Sequence, residues 1–267
     1  MNKPNRVADS FRLPELTYRV WKVWLRDWGV FMKTWKVNFF PPLLEPIFYL
    51  VALGYGLGTF VPTIQGLSYI QFIAPALVSI SIMNSAFFEC TYGSFVRMYY
   101  QKTFDGIIAT PISIEEVIAG ELLWGATRSL ISATIVLAVV AAFGLISSPL
   151  SLLIVLIAFA GGLMFSALGM CFTSLAPNID FFNYPAFLFI TPMFLLSGTF
   201  FPLTNLPAFM QILAKAILPL THVVSLTRGL ILGNLESSLL ISLVWIAVVT
   251  PIFFILSIHL MKRRLIK

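Results

Sequence analysis

The chain has 267 residues, of which 59% are hydrophobic and only 10% charged, and its mean hydropathy is +0.93. A soluble domain is about a quarter charged, so this composition excludes a water-soluble globule and makes lipid the solvent. The net charge of +6 is concentrated at the ends: the first 38 residues hold eight Lys/Arg against three acids, and the last six hold Lys262, Arg263, Arg264 and Lys267. Both clusters abut apolar segments, which points to anionic lipid as their partner and not to nucleic acid.

In chain order, a polar arm is followed by an amphipathic stretch, Leu16 to Val37. On a helical wheel Trp21, Trp24, Trp28, Phe31 and Trp35 share one arc, and Arg19, Lys22, Arg26, Lys33 and Lys36 another. Trp favours the headgroup level and Lys/Arg reach toward phosphates, so this segment (1–37) is expected to be an arm and a helix lying in the membrane surface. At about 20 residues per span, the remaining 38–267 reads as one all-α integral membrane domain of six transmembrane helices. These lie near Phe39–Val61, Tyr69–Tyr92, Val117–Ile146, Ser151–Leu175, Phe181–Phe201 and Ser237–Met261. The polar 93–116 stretch joins the second and third. The 202–236 segment is too interrupted for a straight span and too apolar for a solvated loop. Asn205 is placed to cap a short helix carrying Pro207 in its first turn and ending near Ile217, and Pro219 opens a second that ends near Gly229–Gly233. This reads as a re-entrant helical hairpin on the extracellular side. Cys90 and Cys171 fall within spans with no ligand spacing and read as small buried residues.

Positive charge sets the orientation. With the amino terminus inside, the inner segments hold 14 of the 17 Lys/Arg, whereas the outer ones hold Lys215 and Arg228. Both termini are therefore expected to be cytoplasmic, in a multi-pass protein of the cytoplasmic (inner) membrane. No Gly is followed by Lys anywhere, so a phosphate-binding loop of the G-x-x-x-x-G-K-[ST] type is absent. There is no H-E-x-x-H and no G-x-S-x-G, and the two histidines, His222 and His259, are far apart. Catalytic residues, a metal site and a cofactor are not expected in this chain, and any ATP and Mg would sit on another subunit.

Charges inside spans are costly and usually paired. Glu89 lies a turn inside the second span, and Glu121 and Arg128 share one face of the third, so these three are expected to form an intramembrane cluster. Glu45, among the prolines that open the first span, reads as interfacial. The aromatics Phe181, Phe182, Tyr184, Phe187, Phe189 and Phe194 of the fifth span suit lipid or core contact, or a path for sugar or lipid.

The stretch Leu196–Gly233 (LSGTFFPLTNLPAFMQILAKAILPLTHVVSLTRGLILG) resembles the signature of ABC transporter type-2 permeases. QKTFDGIIATPIS from Gln101 and GELLWGATRSL from Gly120 resemble the same family, and most nearly its nodulation-factor export (NodJ-like) branch. The resemblance implies a half-transporter: two copies of the chain, each on a separate ABC ATPase subunit, two of those in all. It implies a coupling element made of Lys102, Phe104, Asp105, Ile107 and Thr110, with the apolar side chains entering a groove on the ATPase. It also implies that Gly198, Phe201, Pro202, Asn205, Pro207, Pro219, His222 and Arg228 belong to a re-entrant exit segment. The function implied is ATP-driven export of an amphipathic substrate, a lipo-oligosaccharide or other lipid-linked glycan, or alternatively a hydrophobic drug. An ion-coupled transporter and a membrane-embedded glycan or lipid transferase are the rivals from other classes.

Overall fold

The computed structural model describes residues 14, 16–61 and 63–266. Most of the expected amino-terminal arm lies outside them. Among the described residues, six helical runs are long and apolar enough to cross a membrane: Val20–Thr59, Tyr69–Tyr100, Ile114–Ala142, Pro149–Leu175, Ile179–Leu196 and Ser238–Leu265. The protein is an all-α integral membrane protein.

Helix α1 (Val20–Tyr49) continues through a π-helical turn, Leu50–Gly56, and a 3-10 turn to Thr59. The expected break between an interfacial helix and a first span, at Val37–Phe39, is therefore corrected: the run is continuous. Its 40 residues extend about 60 Å, roughly twice the hydrocarbon thickness, so only part of it crosses. Pro41, Pro42 and Pro46 sit inside the helix. Each removes one backbone hydrogen bond, and the π-helical turn begins four residues after the last of them.

A two-residue hairpin turn, Gln65–Gly66, joins the short strands β1 (Thr63–Ile64) and β2 (Leu67–Ser68), with both turn residues at positive φ, as such turns require. Ser68 and Gln71 then form a capping box that starts α2 (Tyr69–Phe88). Two π-helical turns, Glu89–Gly93 and Val96–Tyr100, prolong α2 past the expected end at Tyr92. After the short α3 (Thr103–Ile108), a second capping box, Ser113 with Glu116, starts α4 (Ile114–Ala142). Helix α5 (Ile154–Leu175) returns. The fifth span is assembled from short helical pieces, among them α6 (Asn183–Pro185) and α7 (Thr191–Leu196), because Pro185 and Pro192 interrupt its ladder. Helices α8 (Ala208–Ile217) and α9 (Pro219–Leu232) meet at 89° around Leu218, and Gly233 closes α9 at φ +79°. The last span is α10 (Ser238–Leu265).

Two apolar clusters hold the bundle. The larger gathers α2, α4, α5 and α9 around Phe72, Ile82, Phe87, Phe165 and Val223. The smaller joins Phe95, Phe104, Val117, Ile118, Phe182, Ile258 and Met261. It lies at the end of the bundle where α1 begins, α3 sits and α10 finishes. Thr17 donates to Glu116 there, Arg19 to the Pro111 carbonyl, Lys262 Nζ to Glu115 at 2.6 Å, and Arg264 to the Thr173 carbonyl.

Candidate coupling face and intramembrane ion cluster

Helix α3 hangs below the basic end of the bundle. Lys102 precedes it at φ 54°, a left-handed conformation that turns the chain sharply out of the α2 run. Lys102 and Asp105 are exposed, 4.0 Å apart. Gly106, Ala109 and Thr110 share that exposed face, and Thr110 Oγ1 donates to the Ile107 carbonyl at 2.6 Å. Phe104 does not. It is completely buried in the chain's own core with Phe95, Val117 and Ile118, which corrects the expectation that it enters a groove on another subunit. Ile107 and Ile108 are half-buried against the same cluster. Phe104 anchors α3 to the bundle, and the polar and small residues make its outward face. Phe104→Ala should therefore lower stability by about 3–5 kcal/mol, the cost of losing a buried aromatic. Loss of the folded, monodisperse protein in size-exclusion chromatography checks this.

Directly above α3 lies an ion cluster larger than the three residues expected. Arg97 is its hub. Its Nε donates to both oxygens of Glu121 at 3.1 and 3.0 Å, Nη2 to Glu121 Oε2 at 2.5 Å, and Nη1 to Glu89 Oε1 at 2.8 Å. Glu121 is fully buried and also accepts from Ser94 Oγ at 2.7 Å and Arg26 Nη2 at 3.0 Å. Arg26 reaches Asp27 as well, and Asp27 is 3.9 Å from Arg97. Glu89 is held further by Trp124 Nε1 at 3.0 Å and by Arg128 Nε at 3.4 Å. Three carboxylates and three guanidiniums thus balance where α1, the end of α2 and α4 meet. The structure brings Glu89 to Arg128 but pairs Glu121 with Arg97 and Arg26, and it does not bring Glu121 to Arg128.

Arg26, Asp27 and Arg97 were not among the expected cluster residues. Arg26 sits on the basic arc of the amphipathic stretch, which reads as facing phosphates. Arg97 follows Gly93, where the second span reads as ended. The available signal was spacing: Glu89 and Arg97 are eight apart and share a face if the helix continues. The tryptophans pack as a ladder along α4 and not uniformly toward lipid. Trp24 stacks on Trp21 at 4.1 Å and on Trp28 at 5.5 Å, and its Nε1 donates to Thr127 Oγ1 at 2.8 Å. Trp28 meets Trp124 edge-on. Trp21 and Trp35 are exposed.

At the opposite end, Asn205 ends a 3-10 turn, and Pro207, not Asn205, occupies the position before α8. Gly198, at φ +74°, turns the chain after α7, while Phe201 is half-buried and Pro202 and Pro219 are buried. His222 is buried too. Its Nε2 is 2.9 Å from the Lys215 carbonyl and its Nδ1 is 3.2 Å from Ser242 Oγ, and its ring stacks on Trp245. His222 locks the α8–α9 bend to α10. Arg228 donates to the carbonyls of Gly198 at 2.9 Å and Phe72 at 3.3 Å and lies over the Phe72 ring. It staples the hairpin to the start of α2. Among the described residues no group of three or more His, Cys, Asp or Glu is arranged to hold a metal.

Six membrane-length helices, a sharply broken helix pair at one end and a short surface helix seated under an ionic node at the other define an integral membrane permease. The chain belongs to the ABC-2 type transporter family, whose model matches residues 18–232. It is similar to Nodulation protein J of Rhizobium meliloti, 37% identical over 246 residues (91% of this chain, 92% of that protein). It is also similar to Nodulation protein J of Bradyrhizobium diazoefficiens, 35% over 257 residues (96% and 97%). The Inner membrane transport permease YadH of Escherichia coli is 25% identical over 241 residues (90% and 93%). No solved structure matches the chain.

Proposed function

We propose that this chain is the membrane subunit of an ATP-driven exporter in the cytoplasmic membrane, with both termini cytoplasmic. It would work as two copies seated on two ABC ATPase subunits that bind ATP and Mg. The observation that carries the proposal is α3: a short helix with an exposed polar face, anchored through Phe104 to a core that lies against the ion cluster. ATP-driven closure of the ATPases would push on Lys102, Asp105 and Thr110. Buried Phe104 would pass the displacement to α4 and to the Val96–Tyr100 turn, and Arg97 would pass it to α1 through Glu121, Arg26 and Asp27. Packed cores shift between discrete arrangements and do not deform smoothly, so a push at α3 would re-seat α1 against α2 and α4. The cargo proposed is an amphipathic lipo-oligosaccharide or lipid-linked glycan. This rests on the resemblance to the nodulation-factor export branch and on the similarity to Nodulation protein J; a hydrophobic drug is the second reading, as the YadH name specifies no substrate.

Gly106 tests the coupling face cleanly, since it is exposed and a Cβ built there meets nothing within 4 Å. Gly106→Trp should leave folding and thermal stability unchanged while reducing co-purification of the ATPase at least about tenfold, the effect of roughly 1.4 kcal/mol. Full retention of the ATPase by a folded Gly106→Trp chain would remove α3 as the coupling face.

A further inference from the structure

A cavity of about 390 Å³ opens between α1, α2 and α4, near the middle of each of their helical runs. That volume falls within the roughly 300–1,000 Å³ of small-molecule sites. Polar groups converge on it: Asn38, Glu45 and Tyr49 from α1, Asn84 and Ser85 from α2, and Arg128 from α4. Arg128 spends its Nε on Glu89. Its guanidinium also lies over the Phe31 ring at 5.1 Å, but among the described residues its Nη atoms make no hydrogen bond, Glu45 has no ion pair, and neither Asn84 nor Ser85 has a side-chain hydrogen bond. Within helical runs that cross the membrane such groups are expensive unless something polar meets them. Because Glu89 already meets the charge of Arg128, the chamber offers an anionic head no unpaired cation among its lining residues, and its amide, hydroxyl and carboxylate groups form a donor and acceptor set suited to a head rich in hydroxyls.

A second cavity, about 530 Å³, adjoins the first and shares Pro41, Glu45 and Tyr49 with it. Its remaining walls are Leu44, Phe48, Ala52 and Leu53, and it is wide open on the outer flank of α1. A polar chamber and an apolar trough thus meet at the Glu45 turn of a proline-rich helix.

We propose that these two cavities form one binding site for a single-chain amphipath, with a neutral, hydroxyl-rich head in the Asn84–Arg128 chamber and an alkyl chain along Leu44, Phe48 and Ala52. The site rests on the exporter reading for its purpose but is occupied without ATP, so the two fail separately. Glu45 and Tyr49 hold the boundary between head and chain, and Arg128 connects the chamber through Glu89 to Arg97, so occupancy is registered by the ion cluster above α3.

The test uses the full chain in phosphatidylcholine nanodiscs and a dodecyl maltoside bearing a photoreactive diazirine on its chain. Labelling is expected in the segment 41–53, competed by plain dodecyl maltoside and not by free maltose. Asn84→Leu, which removes head contacts, should weaken binding about tenfold, the cost of one or two hydrogen bonds to a buried partner. Ala52→Trp, which fills the trough from its exposed side, should do the same without touching the chamber. Labelling that is equal in wild type and in both variants overturns the site. Competition by dodecylphosphocholine as strong as by dodecyl maltoside overturns the hydroxyl-rich head. Crosslinks from residues 44–52 to a second copy of the chain in place of the probe overturn the lipid chain as the occupant of the trough. Loss of ATPase association with labelling intact overturns the exporter reading and leaves the site standing.

Discussion

Arg97→Ala is expected to destabilise the folded protein by about 3–5 kcal/mol, as removal of one member of a buried ion pair does. The reason lies with Glu121. It has no solvent contact, and Arg97 supplies it with three of its hydrogen bonds. Without the guanidinium, the carboxylate keeps only Ser94 and Arg26, and Glu89 loses its 2.8 Å donor. Arg128→Ala should cost far less, about 1 kcal/mol. Arg128 makes one 3.4 Å contact to Glu89, and Glu89 keeps Arg97 and Trp124. Thermal unfolding in nanodiscs would separate the two. The decisive comparison is Arg97→Ala combined with Glu121→Gln. If stranded charge is the cause, the double variant recovers much of the loss, and the cycle has a large coupling energy. If the two single losses simply add, the cluster is not the ion pair network described. Arg97→Lys should fall between, because an ammonium cannot span Glu121 and Glu89 with a planar fork.

The number and order of the spans, and the broken pair after the fifth, were legible because each depends on local chemistry. Long apolar runs have only one stable form in lipid. Pro207, Pro219 and Gly233 punctuate α8 and α9 at positions their backbone preferences dictate. Less legible was whatever depended on neighbours. Pro41, Pro42 and Pro46 read as a boundary, yet α1 runs through them. Tyr92 read as the end of the second span, but π-helical turns carry the helix to Tyr100 and turn Arg97 inward. Arg26 and Asp27 look like surface residues until α1 is laid against α4. Phe104 has the apolarity of a docking residue, and only the packing of Phe95, Val117 and Ile118 around it reveals that it faces inward.

The second large effect is expected at Gly162, where α4 and α5 touch nearly backbone to backbone. A Cβ at this position would lie 2.6 Å from Ser129 Cβ and 3.2 Å from Ala126 Cα. Ser129 has little freedom to retreat. Its hydroxyl is 3.2 Å from the Ile82 carbonyl and 3.1 Å from the Ala158 carbonyl, so it ties α4 to both α2 and α5. Small residues at such a seam matter in lipid, where helices are held by close packing and interhelical hydrogen bonds and not by expulsion of water. Gly162→Ala should therefore cost about 1–3 kcal/mol, the usual penalty of overpacking, and Gly162→Leu should prevent assembly of the bundle. Helix propensity alone predicts the opposite sign, since alanine is the better helix former by about 1 kcal/mol. Gly29→Ala in α1 is the matched control: nothing lies within 4 Å of its added methyl, and it should be neutral or slightly stabilising. Unfolding temperatures of the two alanine variants, measured side by side, distinguish steric closure of the α4–α5 seam from a general intolerance of the fold to change at glycine. A Gly162→Ala protein as stable as Gly29→Ala would mean that the seam opens readily, and α5 would then be a moving part and not the fixed wall against which α4 and α2 transmit force.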